Sequence, residues 1–283
     1  MLTELQAGPY TLRGVSVGGV YTCLQVRELG VVLDAGLPIR SFAGTDRLFL
    51  SHGHPDHAGA LGALLGIRRL IGKGAPQVFL PAELAAPLVE SLALQSRVHH
   101  CDLSIQAVPM LPGDTVDLGQ GLWVRALRTH HPVASLGYQF LRRVTKLRQE
   151  LRSLPGEEIA RLRRENVPGV FEHTERLELA YVTDTLARVL ESSTELLRSR
   201  VLVLECTFVD AQRSIEEAQA RAHLHLDELI ARAELFQNEA LVLMHFSQSL
   251  APAQVHAQVR SRLPPPLQQR VHVFAPPSGP WFG

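Results

Sequence analysis

The stretch "SHGHPDHAGA", residues 51–60, places three histidines and one aspartate within six positions. It follows the apolar run "RLFL", residues 47–50, which is typical of a buried β-strand, and it leads into "ALGALLGIRRL", residues 60–70, whose apolar spacing favours a helix. The histidines therefore fall in a loop between a strand and a helix. Imidazole nitrogens and carboxylate oxygens are the ligands that zinc and similar divalent ions prefer. The stretch indicates a metal site at the end of a strand.

The spacing within this stretch divides the ligands into two sets. His52 and His54 are two residues apart, so in an extended segment both side chains point the same way and can share one ion. Asp56 and His57 stand at the turn into the helix, where they can serve a second ion. A hydrophilic loop with incidental histidines is the alternative, but it gives no reason for so dense a cluster.

The composition is that of an ordinary globular protein. The chain has 283 residues, of which 46% are hydrophobic, and this length suits one large domain or two small ones. The formal net charge is zero, so a polyanionic partner would have to meet a local basic patch. The N-terminus lacks an apolar signal region and no stretch is suited to span a bilayer, so we expect no membrane partner.

The cysteines bear on the compartment. Cys23, Cys101 and Cys206 are odd in number and scattered along the chain, which does not suggest a disulfide framework. Disulfides are rare in reducing compartments, and we therefore expect a cytoplasmic protein.

The order of predicted elements favours an α/β fold. Short strands come first, at "TLRGVSV", "YTCLQVREL", "GVVLDAG" and "RLFLSH", and strands alternate with helices towards the C-terminus. This order predicts two sheets between helical layers, in a single domain over residues 1–283. Residues 139–170, here called the arm, are arginine-rich and interrupted by Pro155-Gly156. We predict two short helices that project from the domain there.

The histidine stretch also carries a resemblance. "HGHPDH" after a strand resembles the HxHxDH signature of the metallo-β-lactamase superfamily. This resemblance implies an αβ/βα four-layer sandwich with a two-metal site at one edge of the sheets. It also implies further ligands, which match the His130-His131 pair, Asp184 in "LAYVTDT" and His245 in "LVLMHFS". Asp34 in "VVLDAG" matches an early aspartate that supports the site without binding metal.

Other motifs narrow the resemblance to one family. "THHPVASLGY", "LECTF", "AHLHLDEL" and "HFS" together resemble ribonuclease Z, the endonuclease that trims the 3′ trailer from precursor tRNA, in its short plant-type form. The likeness includes "VGGVYTC", "EIARL" and "LPPPLQQRV", and so extends over almost the whole chain. In this family the third histidine precedes a Gly-Tyr pair by six positions, which selects His131 over His130. The resemblance implies His223 as the acid–base histidine and Glu205 as its partner.

The resemblance implies a complete two-metal site. One ion would be held by His52, His54 and His131, the other by Asp56, His57 and His245, with Asp184 between them. We expect two divalent ions per chain, with Zn²⁺ first and Mn²⁺ or Fe²⁺ as alternatives. Asp56 would also orient the attacking hydroxide.

The pair formed by Glu205 and His223 bears on the type of reaction. Cleavage of an RNA phosphodiester expels a ribose alkoxide, which must be protonated as it departs, and His223 would be this general acid. A thioesterase expels a thiolate and needs less help. The pair therefore favours phosphodiester chemistry, and His225 in the same "HLH" stretch is the alternative acid.

The arm and the oligomeric state concern substrate binding. Two interpretations are open for the basic residues of the arm. They form either a solvated helical face or a phosphate-binding patch that grips tRNA. The candidate RNA-binding residues are Arg142, Arg143, Lys146, Arg161, Arg163 and Arg164. The resemblance also implies a homodimer, in which the tRNA-gripping surface of one subunit lies beside the active site of the other.

The sequence departs from the family pattern after its last histidine. Family members often continue "HFS" with a small residue and then Arg-Tyr, whereas this chain has Gln248, Ser249 and Leu250 and so lacks a cation there. "TDT" and "HAGA" also replace "GDT" and "HxGG". Two alternatives to the endonuclease are a hydrolase of the same fold that acts on a small-molecule phosphodiester or similar substrate, and a binding protein without catalysis.

Overall fold

The strands form two sheets that run in chain order. The computed structural model describes residues 2–165 and 167–282, apart from the side chains of Thr145 and His173. Within these ranges, the first sheet has seven strands, β1 to β7: Thr3–Ala7, Tyr10–Val17, Tyr21–Val26, Val31–Leu33, Arg47–Phe49, Gln77–Pro81 and Gln106–Met110. The second sheet also has seven, β8 to β14: Thr115–Gly119, Leu122–Arg128, Leu136–Leu147, Phe171–Val182, Val201–Glu205, Ala240–Met244 and Val271–Val273.

Both sheets change from antiparallel to parallel pairing. In the first sheet β1 to β4 pair antiparallel and β4 to β7 pair parallel. In the second, β8 to β11 pair antiparallel and β11 to β14 pair parallel. The parallel strands β12 and β13 are buried at every position, as expected where helices cover the outer face. The change in pairing brings the carboxyl ends of several strands of both sheets to one edge.

Helices cover the outer faces of the two sheets. The α-helices of the described residues are α1 to α9: Pro55–Ala58, Leu61–Leu70, Ala82–His99, Gly156–Arg164, Val189–Ser192, Ile215–Ala220, Leu226–Ile230, Pro252–Arg262 and Pro265–Gln268. Short 3₁₀ segments lie at Arg27–Leu29, Arg40–Phe42, Gln149–Leu151, Thr194–Arg198 and Ala233–Leu235. None of the helices in this part of the chain combines the length and the apolar character that crossing a bilayer requires.

Three apolar cores hold the layers together. Between the sheets, the ring of Phe49 lies 5.1 Å from that of Tyr138 and 5.0 Å from that of Phe140, so aromatic residues join the two sheets. The second core lies between the first sheet and α2 and α3, where Leu64 and Leu92 are buried. The third lies between the second sheet and α7 and α8. The predicted αβ/βα four-layer sandwich is confirmed.

The prediction of two helices in the arm is wrong for most of its length. Residues 139–147 belong to β10 and pair with β11 in a long hairpin, from Tyr138 opposite Tyr181 to Leu147 opposite Phe171. The charges that suggested a helix are cross-strand partners instead, since Arg143 lies 3.2 Å from Glu175 on the neighbouring strand. Only α4, at the tip of the hairpin, is an α-helix.

Candidate metal centre

The predicted site residues meet at the edge where the carboxyl ends of the strands converge. His52 follows β5 after Ser51, and Asp184 follows β11 after Thr183. Glu205 is the last residue of β12, and His245 directly follows β13. Functional groups gather at this edge because parallel strands end together, and each end can present one side chain.

The structure brings seven of these side chains into one cluster, called here the donor cluster. Its members are His52, His54, Asp56, His57, His131, Asp184 and His245. Ligand atoms of His52, His54, His131 and Asp184 lie within 4.8 Å of one another, as do those of Asp56, His57 and His245. The two sets correspond to the two sets of ligands that the sequence predicts.

The distances inside each set match those expected around a small ion. His52 Nε2 and His54 Nδ1 are 3.0 Å apart, and His54 Nδ1 and His131 Nε2 are 3.3 Å apart. In the other set, His57 Nε2 and His245 Nε2 are 3.2 Å apart. Two nitrogens bound to one zinc ion at about 2.0–2.1 Å with a tetrahedral angle are separated by roughly 3.3 Å.

Asp184 stands between the two sets. Its Oδ1 lies 3.3 Å from His57 Nε2 and 3.3 Å from His245 Nε2. Its Oδ2 faces the other set, at 3.7 Å from His52 Nε2 and 4.0 Å from His131 Nε2. One carboxylate oxygen thus points to each set, which is the arrangement that a bridging ligand needs.

A layer of residues behind the donor cluster fixes the histidine tautomers. The hydroxyl of Ser51 donates to Asp34, at 2.9 Å, and therefore accepts from His52 Nδ1, at 3.0 Å. His57 Nδ1 donates to Asp34 Oδ2 at 2.8 Å, and the Tyr181 hydroxyl donates to the same oxygen at 2.6 Å. Asp34 thus supports the histidines from behind the cluster, which is the role that the resemblance to the metallo-β-lactamase superfamily implied. When His52 and His57 are neutral, these contacts place their protons on Nδ1 and direct the Nε2 lone pairs into the cluster.

Thr207 does the same for the last histidine, and sequence reasoning missed it. Its hydroxyl donates to Glu205 Oε2 at 2.6 Å and accepts from His245 Nδ1 at 3.0 Å. The Nε2 of His245 is therefore also an unprotonated acceptor. The motif "LECTF" contains Thr207 two residues after Glu205, but only the fold shows that it reaches His245.

The donor set fits divalent cations. When both imidazoles are neutral with their protons on Nδ1, the lone pairs of His57 Nε2 and His245 Nε2 face each other at 3.2 Å, an arrangement that a cation between them would stabilise. Burial lowers the pKa of His52 to about 2, so this imidazole is neutral and able to bind a cation.

The pair formed by His223 and Glu205 borders the donor cluster. His223 Nδ1 lies 3.1 Å from Glu205 Oε1, and the imidazole ring lies 5.3 Å from that of His245 and 5.8 Å from that of His131. Glu205 is fully buried and accepts further hydrogen bonds from the backbone of Thr185 and Leu224, at 2.7 and 3.2 Å. Burial opposes protonation of His223, but the Glu205 carboxylate raises its pKa to about 9. His223 is therefore protonated at neutral pH.

Comparison with known sequences identifies the family. The family model of the β-lactamase superfamily domain matches residues 31–246. The protein tRNase Z TRZ1 of Arabidopsis thaliana is 32% identical over 272 residues, which cover 94% of this chain and 95% of that protein. The chain belongs to the ribonuclease Z family. A second member, the chloroplastic tRNase Z TRZ2 of Arabidopsis thaliana, is 31% identical over 244 residues, with 84% of this chain and 68% of that protein covered.

Solved structures show the same fold. The short form of human tRNase Z superposes with a TM-score of 0.57 at 18% identity, and covers 82% of this chain and 91% of its own. The metallo-β-lactamase fold protein YhfI from Bacillus subtilis gives a TM-score of 0.59 at 14% identity, over 92% of this chain and 93% of its own. The sequence matches to the two tRNase Z proteins and to the family model confirm the resemblance to the ribonuclease Z family within the metallo-β-lactamase superfamily.

Two further histidines lie away from the donor cluster: His130, which the family spacing set aside in favour of His131, and His225, the alternative acid. His130 Nε2 contacts the hydroxyl of Ser192 at 2.9 Å. His225 is buried and begins α7, where its Nδ1 accepts from the backbone of Asp227 at 3.1 Å and its Nε2 donates to the carbonyl of Asp210 at 3.0 Å. With both ring nitrogens engaged, His225 caps a helix, and the geometry favours His223 as the acid.

Some candidate RNA-binding residues of the arm lie beside carboxylates, and the others do not. Arg142, Arg143 and Arg161 lie 3.8, 3.2 and 2.5 Å from the carboxylates of Glu178, Glu175 and Glu158. Arg163 lies over the ring of Phe171 at 5.2 Å. Among the side chains that the structure describes, Lys146 and Arg164 form no salt bridge.

Proposed function

We propose that this chain is a two-metal endoribonuclease that removes the 3′ trailer of precursor tRNA. The observation that carries the proposal is the pair formed by His223 and Glu205 beside two converging sets of metal ligands. Hydrolysis of an activated ester needs no general acid, whereas release of a ribose alkoxide does. The relatives that cover most of this chain are named tRNase Z, which supports tRNA as the substrate.

The donor cluster would hold two divalent ions. His52, His54 and His131 would bind one, Asp56, His57 and His245 the other, and Asp184 both. When bound, such ions activate water and neutralise phosphoryl oxygens. The many imidazole donors suit Zn²⁺ best, with Mn²⁺ and Fe²⁺ as alternatives.

The residues of the chain supply the remaining steps. Asp56 is held by the backbone amide of Gly19, at 3.0 Å from its Oδ2, and would accept the proton of the attacking water and orient it. His223 would donate its proton from Nε2 to the departing ribose oxygen. Glu205 would keep His223 oriented and protonated, and its own buried charge is stabilised by the backbone of Thr185 and Leu224.

Incubation with precursor tRNA that carries a 3′ trailer tests the proposed function. We expect one cut near the end of the acceptor stem, and we expect it to disappear with a chelator and return with Zn²⁺. A small-molecule phosphodiester serves as the comparison substrate. Hydrolysis of that ester with no cut in precursor tRNA would contradict the endonuclease and support the small-molecule hydrolase.

We propose that the protein is a homodimer of the cytoplasm in which the arm grips tRNA. The three cysteines, Cys23, Cys101 and Cys206, all carry free thiols in the described structure, as a reducing compartment allows.

Helix α3 exposes an apolar surface that includes Leu94 and Val98, the latter 75% exposed, and this surface suits an interface between two subunits. Light scattering at micromolar concentration should give twice the monomer mass, and a Leu94→Glu/Val98→Glu variant should give the monomer mass. A monomeric wild-type protein would contradict the dimer.

A further inference from the structure

A cavity of about 580 Å³ lies beside the catalytic pair and outside the donor cluster. Its walls come from the loop after β12, from α6 and from the segment after His245, and they include Phe208, Arg213, Arg221, Ser249 and Leu250. The ring of Phe208 lies 6.3 Å from that of His223, at an interplanar angle of 75°. Phe208, which lines the cavity, is thus a neighbour of the general acid.

The wall of this cavity is rigidly joined to the segment that carries His223. The backbone amide of Phe208 donates to the carbonyl of Leu224 at 3.2 Å, and the amide of Leu226 donates to the carbonyl of Phe208 at 2.8 Å. His225 adds its bond to the carbonyl of Asp210. A ligand in the cavity would thus be held in a fixed position relative to His223.

Two arginines give the cavity its chemical character. The guanidinium of Arg213 lies over the ring of Phe208 at 5.0 Å, a contact that orients it without neutralising its charge. Asp210 Oδ2 lies 4.0 Å from Arg213 Nε, at the long end of a salt bridge, while its Oδ1 accepts from the backbone amides of Gln212 and Arg213. Arg221 is exposed and forms no salt bridge with any side chain in the described parts of the chain.

A second acidic residue that lines the cavity, Glu217, also accepts a hydrogen bond from the backbone. Glu217 accepts from the backbone amide of Ser214 at 2.9 Å in the capping box that begins α6. Hydrogen bonds to the backbone leave Asp210 and Glu217 charged, so the described lining of the cavity holds two guanidinium groups and two carboxylates, with Asp210 within salt-bridge distance of Arg213. Such a pair of guanidinium groups fits a phosphate, which accepts several charge-assisted hydrogen bonds at once.

We propose that Arg213 and Arg221 bind the RNA phosphate next to the scissile one, on the side of the leaving nucleotide. This inference rests on the proposed function, because it takes His223 as the acid that protonates the leaving oxygen. The ribose that departs at His223 carries its own phosphate on the other side, and the cavity is the adjacent space. Ser249 and Leu250, which also line the cavity, provide no cation, so the two arginines would supply the positive charge.

An Arg213→Gln/Arg221→Gln variant tests this subsite, with Arg198→Gln/Arg260→Gln as a control pair of exposed arginines elsewhere on the surface. Both variants are assayed on precursor tRNA and on bis(p-nitrophenyl) phosphate, which has no second phosphate. In the test variant we expect the ratio of kcat/KM for tRNA to that for the ester to fall by roughly 10-fold per lost contact. The slope of log kcat/KM against log salt should decrease by about 0.7–0.9 per contact.

The outcomes are separable. A test variant that matches the control pair in both the ratio and the salt slope, while the wild-type protein cleaves precursor tRNA, would overturn the subsite and leave the proposed function intact. A wild-type protein that leaves precursor tRNA uncut would overturn the proposed function and the subsite together. The ester assay also reports whether each variant has kept its fold and its metal centre.

Discussion

The donor cluster and the arm are built in opposite ways. Every side chain of the donor cluster is buried or half-buried, and several are oriented by a second residue such as Asp34 or Thr207. The cations of the arm are mostly exposed, and three of them lie beside carboxylates of the same hairpin. A buried donor side chain is already held in its binding orientation, so it loses little conformational entropy when it binds a ligand. An exposed cation acts through charge at a distance. Substitutions in the two regions should therefore differ in size and in kind.

The largest effect is expected at the centre of the donor cluster. Asp184→Ala removes the carboxylate that faces both sets of ligands, so metal content should fall below two ions per chain. Because metal charge contributes several kcal/mol to such reactions, the rate should fall on the order of 10³-fold or more. Elemental analysis alongside the tRNA assay checks this. Two ions at full occupancy in the variant would show that Asp184 does not bridge.

A smaller loss is expected behind the cluster. Thr207→Val keeps the shape of the side chain but removes the hydroxyl that fixes the tautomer of His245. Metal affinity should fall about 10–100-fold, the usual effect of losing a partner of a ligating histidine. Titration with a competing chelator measures this affinity. An unchanged affinity would mean that the metal alone orders His245. It would also contradict the claim that second residues such as Thr207 orient the side chains of the donor cluster.

The pH dependence should report on the catalytic pair. Glu205 raises the pKa of His223 to about 9, so the acid is protonated at lower pH and is lost as pH rises through that value. Above it, kcat/KM for precursor tRNA should fall about tenfold per pH unit. In Glu205→Gln this descending limb should move to lower pH, since the carboxylate that favours the charged imidazole is gone. A limb that stays in place would assign the titration to another group.

The smallest effect is expected in the arm. A Lys146→Gln/Arg163→Gln/Arg164→Gln variant should weaken tRNA binding and reduce the log–log salt slope by up to about 0.9 per residue. Arg142→Gln/Arg143→Gln is the matched comparison, because these arginines lie beside Glu178 and Glu175 and should change the slope less. Binding measured across a salt series decides the matter. Equal slopes in the wild type and both variants would show that the arm is a solvated surface.

The sequence predicted the donor cluster better than the arm for a physical reason. Metal ligands are restricted to a few residue types, and four of the seven lie within "HGHPDH", so this stretch shows its role within a few residues. Arginines and glutamates suit an exposed helix and an exposed hairpin equally well, and only the pairing of β10 with β11 decides between them. Strands β2 to β5 were predicted from their apolar runs, but β1, "TELQA", has no clear run and was not predicted, and neither were β6, β7 and β8.

Asp34 was anticipated from the resemblance, but Tyr181 and Thr207, which also lie behind the site, were not, because their partners are distant in the chain. Tyr181 meets Asp34 across 147 positions, and Thr207 meets His245 across 38. Neither residue has a local pattern that indicates such a contact. The left-handed backbone at Asp184 and His245, with φ of 38° and 61°, is likewise imposed by the fold and aims both side chains into the cluster.

The central claim is that His223, held by Glu205, protonates a basic leaving group at a two-metal centre, and His223→Ala tests it most directly. The variant is compared with wild type on precursor tRNA and on bis(p-nitrophenyl) phosphate, with metal content measured in parallel. We predict that tRNA cleavage slows by roughly 10²–10⁴-fold, that hydrolysis of the ester slows far less because nitrophenolate leaves without a proton, and that both ions remain. Equal slowing of the two substrates, or loss of an ion, would contradict the assignment of His223 as the general acid.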